Sequence, residues 1–261
     1  MSTAAHEETF MGHPKGLIVL FFTEMWERFS YYGMRGLFVL YLVANVGDGG
    51  FGWTQVEALS LYGTYTMMVY LMSIPGGILA DKFIGQKKAV MIGGALLVAG
   101  HGIMAIPGQT SFFVAITLIV LGVGALKANI STMVGGLYKK GDVRRDKGFT
   151  IFYMGINLGS VLAGIIVGYV GQEYGWHYGF GLAGIGMLFG QLQFMYGQKY
   201  LVNVGNYIKP EPVPEGEEKP NHLAGLLQTP VVLTLVVLIV LLGTYVAYLG
   251  FTGSGWSYVL Y

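Results

Sequence analysis

Residues 21–42 read FFTEMWERFSYYGMRGLFVLYL. The run is long and apolar enough to enter a bilayer, yet it holds Glu24, Glu27, Arg28 and Arg35. Lys127 falls inside another apolar run, LGVGALKANIST. A charge at the centre of a membrane helix costs about 2.5–3.5 kcal/mol on insertion scales. Unpaired and facing lipid, these charges together would cost on the order of 12–18 kcal/mol. That exceeds the usual net stability of a domain, so they must pair and face protein or a watery cavity. At 100° per residue, Arg28, Tyr31 and Arg35 fall within about 40° of Glu24, with Glu27 and Tyr32 beside them. Trp26, Phe29, Gly33 and Leu37 point the other way. Glu24 and Arg28 have the favourable i, i+4 spacing. Lys127 has more than ten mostly apolar residues on each side, so it does not reach an interface by snorkelling, and Glu24 or Glu27 is its expected partner.

The whole chain fits a lipid solvent. Its 261 residues are 54% hydrophobic and 11% charged, against about 25% charged in soluble domains. Glycine, at 42 residues, suits close helix packing in membranes. A net charge of +1 with no basic patch argues against nucleic acid. Absence of cysteine excludes disulfides within the chain. The polar start, with Glu7 and Glu8, lacks the basic region and cleavage site of a removable signal peptide. No His/Cys/Asp/Glu cluster has metal-ligand spacing, and no Ser-His-Asp or phosphate-loop pattern appears; neither a cofactor nor an enzymatic reaction is expected.

Spans of about 20 apolar residues are predicted near 16–44, 55–80, 88–106, 111–138, 149–171 and 177–199, forming a six-helix bundle over 1–200. Residues 201–229 read as a Pro/Glu-rich linker, and a further apolar helix is expected within 230–261, near 231–250. Loops 81–88 and 139–148 are rich in Lys and Arg, whereas loops 45–54, 107–110 and 172–176 contain neither. This alternation places the N-terminus and the linker in the cytoplasm. Tyr62, Tyr65 and Tyr70 belong to span 2. Tyr153 and Asn157 share a face of span 5, where Asn157 reads as a buried amide needing a partner. Gly155 and Gly159 form a packing step. His101 in span 3 is expected to be a hydrogen-bonded structural histidine.

Gly77, Asp81, Lys82, Gly85, Lys87 and Lys88 resemble the loop motif after span 2 of the major facilitator superfamily. Glu24 to Gly33 (E-x-x-E-R-F-x-Y-Y-G), the Lys127 segment and FYxxINxGS (Phe152 to Ser160) are similar to three motifs of the proton-dependent oligopeptide transporter family within it. The resemblance implies an all-α polytopic membrane protein: the first six-helix bundle of a twelve-helix transporter, with 231–250 as the first helix of the hairpin between bundles. The second bundle would lie outside this chain. It also implies a bacterial inner membrane and import of di- and tripeptides with protons, by alternating access. On that resemblance Arg35 and Lys127 would hold the peptide carboxylate, Asn157 would orient its amino end, and Tyr32, Tyr70 and Tyr153 would line the pocket. Glu24, Glu27 and Arg28, with Lys127, would couple protons, and the Gly77–Lys88 loop would gate. Asp81, at a helix end, would contact a neighbouring span in one conformation only. Nitrate or another organic anion is the alternative cargo. A membrane subunit of an enzyme complex, or a scaffold locked by its charges, fits less well, because the acids are confined to span 1.

Overall fold

The computed structural model describes residues 9–207. Most of the 201–229 linker and the predicted helix near 231–250 lie outside the described residues. A two-stranded antiparallel pairing, β1 (Thr9–Phe10) with β2 (His13–Pro14), opens the described chain. Six long helices follow. They are α1 (Gly16–Val43), α2 (Gln55–Ile84, its last turn π-wound), α3 (Gln86–Met104), α4 (Gln109–Gly136), α5 (Arg144–Glu173, with a π stretch at Ala163–Val167) and α6 (Trp176–Gly197). They match the six predicted spans. α5 starts earlier than its apolar stretch because the charged turn Arg144–Lys147 is already helical. At the start of α2, Thr54 and Glu57 form a capping box that satisfies two otherwise orphaned amides.

α2, α3, α4 and α5 are long and apolar enough to cross a membrane. α1 spans 28 residues, roughly 42 Å at 1.5 Å per residue, but carries four charges. α6 has no charge, and its glycines, tyrosines and glutamines dilute its apolar character. α1 is mostly buried among its neighbours, whereas α6 buries one face and leaves Tyr178, Ile185, Phe189 and Tyr196 exposed. α1 packs between α5 and α6, α4 packs on α2 and α3, and α3 meets α6. α2 and α5 are the least covered of the four apolar helices.

Small residues set these distances. On α1, the side predicted to be apolar is the packing side: Phe29 and Trp26 lie against Gly186 and Gly190 of α6, and Leu37 against Gly171 and Gly179. Gly159 of α5 abuts the backbone of α1, where a Cβ would overlap the Met25 carbonyl oxygen. Gly76 of α2 meets Gly124 of α4 in the same way. The Gly155/Gly159 step is thus a packing surface, as its spacing predicts. At the end that lacks basic residues, Phe38, Tyr41, Phe51, Phe112 and Phe180 pack ring against ring, with centroids 4.9–5.7 Å apart. At the basic end, His13 Nδ1 lies 2.8 Å from the Tyr138 hydroxyl, and Arg144 donates to the Gly12 carbonyl at 2.9 Å.

Close approach makes a prediction. Gly159→Ala must push α5 off α1 and is expected to cost about 1–3 kcal/mol, whereas Gly164→Ala, which meets nothing within 4 Å, is expected to be neutral or stabilising. Thermal unfolding of the two purified variants checks this.

Candidate functional site

The polar side of α1 faces inward. Glu24, Glu27 and Arg28 are 3%, 1% and 4% exposed. Arg28 Nε is 3.0 Å from Glu24 Oε1 and 2.5 Å from Glu27 Oε2. These are ion-pair distances, but the N–H groups are not aligned on the oxygens. Glu24 Oε2, both Glu27 oxygens and Arg28 Nη2 consequently have no hydrogen-bond partner. Buried polar groups left in this state are uncommon and call for an explanation. One guanidinium facing two carboxylates also leaves a formal charge of −1 when both are ionised, in a site where desolvation is expensive. A single added proton removes that excess.

The other two cations are seated on tyrosines. Arg28 already stands 5.2 Å from the Tyr31 ring. Two turns further along α1, half-buried Arg35 donates from Nε to the Tyr62 hydroxyl, with its guanidinium 5.3 Å from that ring. Lys127 of α4 holds its ammonium 4.2 Å over the ring of Tyr70 on α2. Contacts of this kind contribute about 0.5–2 kcal/mol each. The expected ion pair between Lys127 and Glu24 or Glu27 is not formed within 4 Å among the described residues. Arg28 already occupies both acids, and the π face of Tyr70 holds the ammonium.

Asn157 is also corrected. It is exposed, not buried, and its amide donates to the Tyr153 carbonyl one turn back, at 3.2 Å. No described helix covers that flank of α5; Tyr153 is 57% exposed and Tyr70, on α2, is 58% exposed. Tyr32 is half-buried, its ring 5.4 Å from that of Tyr31. His101 is fully buried, as a structural histidine would be, but neither ring nitrogen has a partner. Its surroundings are close-packed; Gly184 of α6 lies directly against it.

At the junction of α2 and α3, Asp81, Lys82 and Lys88 are exposed. Among the described residues, Asp81 accepts from Gln86 at 3.4 Å and not from a neighbouring span. Gly77 faces open space, while Gly85 and Lys87 contact residues 205–207. Sequence reasoning assigned no role to Tyr62, although it shares a helix with Tyr65 and Tyr70. Its signal lay in the pairing of antiparallel α1 and α2, which spacing along a single helix does not reveal. Tyr65 Oη and Thr66 Oγ1 are further buried polar atoms without partners.

A bundle of apolar helices around buried charges defines a polytopic membrane protein. A family model described as "POT family" matches residues 87–213 of the chain. It is 44% identical to a di-/tripeptide transporter of Lactococcus lactis subsp. cremoris over 246 residues, covering 93% of this chain and 48% of that protein. It is 49% identical to the peptide transporter YePEPT of Yersinia enterocolitica over 189 residues, covering 71% and 37%. Among solved structures, a mutant of a peptide transporter POT in complex with alafosfalin matches with a TM-score of 0.80 at 45% identity, covering 95% of this chain and 51% of that one. The chain spans about half the length of the curated relatives it matches.

Removing the guanidinium strands both carboxylates. Arg28→Met is expected to destabilise the bundle by about 3–5 kcal/mol, and adding Glu24→Gln and Glu27→Gln is expected to recover part of that loss. Thermal unfolding in detergent measures both.

Proposed function

We propose that the intact protein is a proton-coupled symporter that imports di- and tripeptides by alternating access. It works in a bacterial inner membrane with the N-terminus cytoplasmic, and a second six-helix bundle completes the cavity. The observation that carries this reading is the buried Glu24–Arg28–Glu27 cluster, with more carboxylate than guanidinium and with unpartnered oxygens. The names of its relatives point the same way. Alternate basic loops support the orientation.

Arg28, Arg35 and Lys127 against Glu24 and Glu27 give a formal +1. A peptide carboxylate brings this to zero, which suits a poorly hydrated site. Arg35 and Lys127 receive that carboxylate because neither is committed to an acid. Glu27, or Glu24, takes the proton, relaxing its hold on Arg28 and changing the field at Lys127. Tyr32, Tyr70 and Tyr153 line the exposed flank, and Asn157 turns from its own helix to the peptide's amino end. Two cations free of acids would also receive nitrate or another organic anion, so competition by these ions against a labelled dipeptide distinguishes the cargoes.

Two outcomes are expected in liposomes. Glu27→Gln loses proton-driven uptake of a labelled dipeptide and keeps counterflow; unchanged proton-driven uptake would rule out the coupling role. Arg35→Ala and Lys127→Ala each raise the KM for dipeptide by about tenfold or more, about 1.4 kcal/mol, and unchanged KM values would rule out the carboxylate clamp.

A further inference from the structure

Beyond α6 the chain turns through Gln198–Tyr200 and crosses the basic end of the bundle. The first residues of the predicted polar linker are not free of the bundle. Leu201 and Val204, about one turn apart, are buried, while Val202 between them is exposed. Leu201 Cδ2 and the Tyr200 carbonyl fill the space beside Gly16, at the start of α1, each 2.9 Å from where its Cβ would stand. Val204 packs against Gly136 at the end of α4.

The tip of this strap holds the loop after α2. The Gly205 carbonyl accepts from the Lys87 amide at 2.8 Å, and Lys87 Nζ donates to Asn206 Oδ1 at 2.8 Å. Asn206 in turn donates to the Val202 carbonyl at 2.5 Å, which fixes its side chain. Gly85 has φ +82°, a conformation that favours glycine, and a Cβ there would lie 2.5 Å from the Tyr207 amide nitrogen. Glycine is therefore required twice at this position, once by the backbone angle and once by the strap.

From Asp81 onward the loop motif thus divides into two groups. Gly85 and Lys87 are taken up by the strap, while Asp81, Lys82 and Lys88 remain exposed. We propose that residues 200–206 are a clamp that makes Gly85 and Lys87 part of the rigid body formed by the starts of α1 and α3 and the end of α4. Movement of this loop is then confined to the π-wound turn Ala80–Ile84, and Asp81, Lys82 and Lys88 are the motif members that can engage a facing surface. The clamp stays closed while the transporter changes conformation.

The test uses the intact transporter with Lys87→Cys and Asn206→Cys; this chain has no cysteine of its own. A short, reducible bis-methanethiosulfonate reagent links the pair, and mass spectrometry of proteolytic peptides scores the link. Linked protein is expected to melt higher than reduced protein and to take up a labelled dipeptide within twofold of it. Adding Gly85→Ala is expected to lower the linking yield severalfold, because the strap is displaced. Failure to link overturns the clamp, as does a tenfold loss of uptake that returns on reduction, since the strap would then have to open. The uptake arm rests on the proposed function. If the reduced protein moves no dipeptide, that reading fails, while linking and melting still decide the clamp.

Discussion

One guanidinium between two carboxylates, inside an apolar helix, constrains everything around it. Arg28, Glu24 and Glu27 cannot face lipid, so α1 must lie within protein. That requirement places α1 between α5 and α6. The bundle is in this sense built around a defect in its own hydrophobicity. Replacing the trio by hydrophobic residues of similar volume would be neutral or stabilising by general experience with buried ion pairs. Function, and not stability, is the economical reason for keeping a cluster with unpartnered oxygens.

Enclosing such a helix demands short distances between axes. Glycine supplies them on both sides: Gly155 and Gly159 on α5, Gly186 and Gly190 on α6. Without a hydrophobic force between helices in lipid, close van der Waals contact is what holds them. The same glycine content that marks the chain as unusual in composition therefore sets the distances that hold α1 in place around its charges.

Much of this was legible in the sequence. Apolar run lengths gave six helices, because a bilayer imposes one length scale. Helical spacing separated the polar side of α1 from the side that meets Gly186 and Leu37's glycine partners. Pairing between helices was harder to read. Lys127 was matched to an acid by charge alone, whereas Tyr70 holds it; complementary charge does not specify which neighbour is nearest. Asn157 read as buried because its surroundings in sequence are apolar, yet apolar neighbours on α5 are themselves uncovered. The 201–207 strap was hidden by the prolines and glutamates after it, since two buried residues, Leu201 and Val204, hardly alter the average of a polar segment.

The tyrosine seats of Arg35 and Lys127 have a kinetic consequence. A ring face attracts a cation without consuming an N–H donor, so Lys127 over Tyr70 keeps all three of its donors for another acceptor. An incoming carboxylate need not first displace a resident one, and a departing carboxylate leaves behind a cation that is still stabilised. Exchange on such a seat can be fast in both directions, which the proposed function, loading and emptying the site once per cycle, requires.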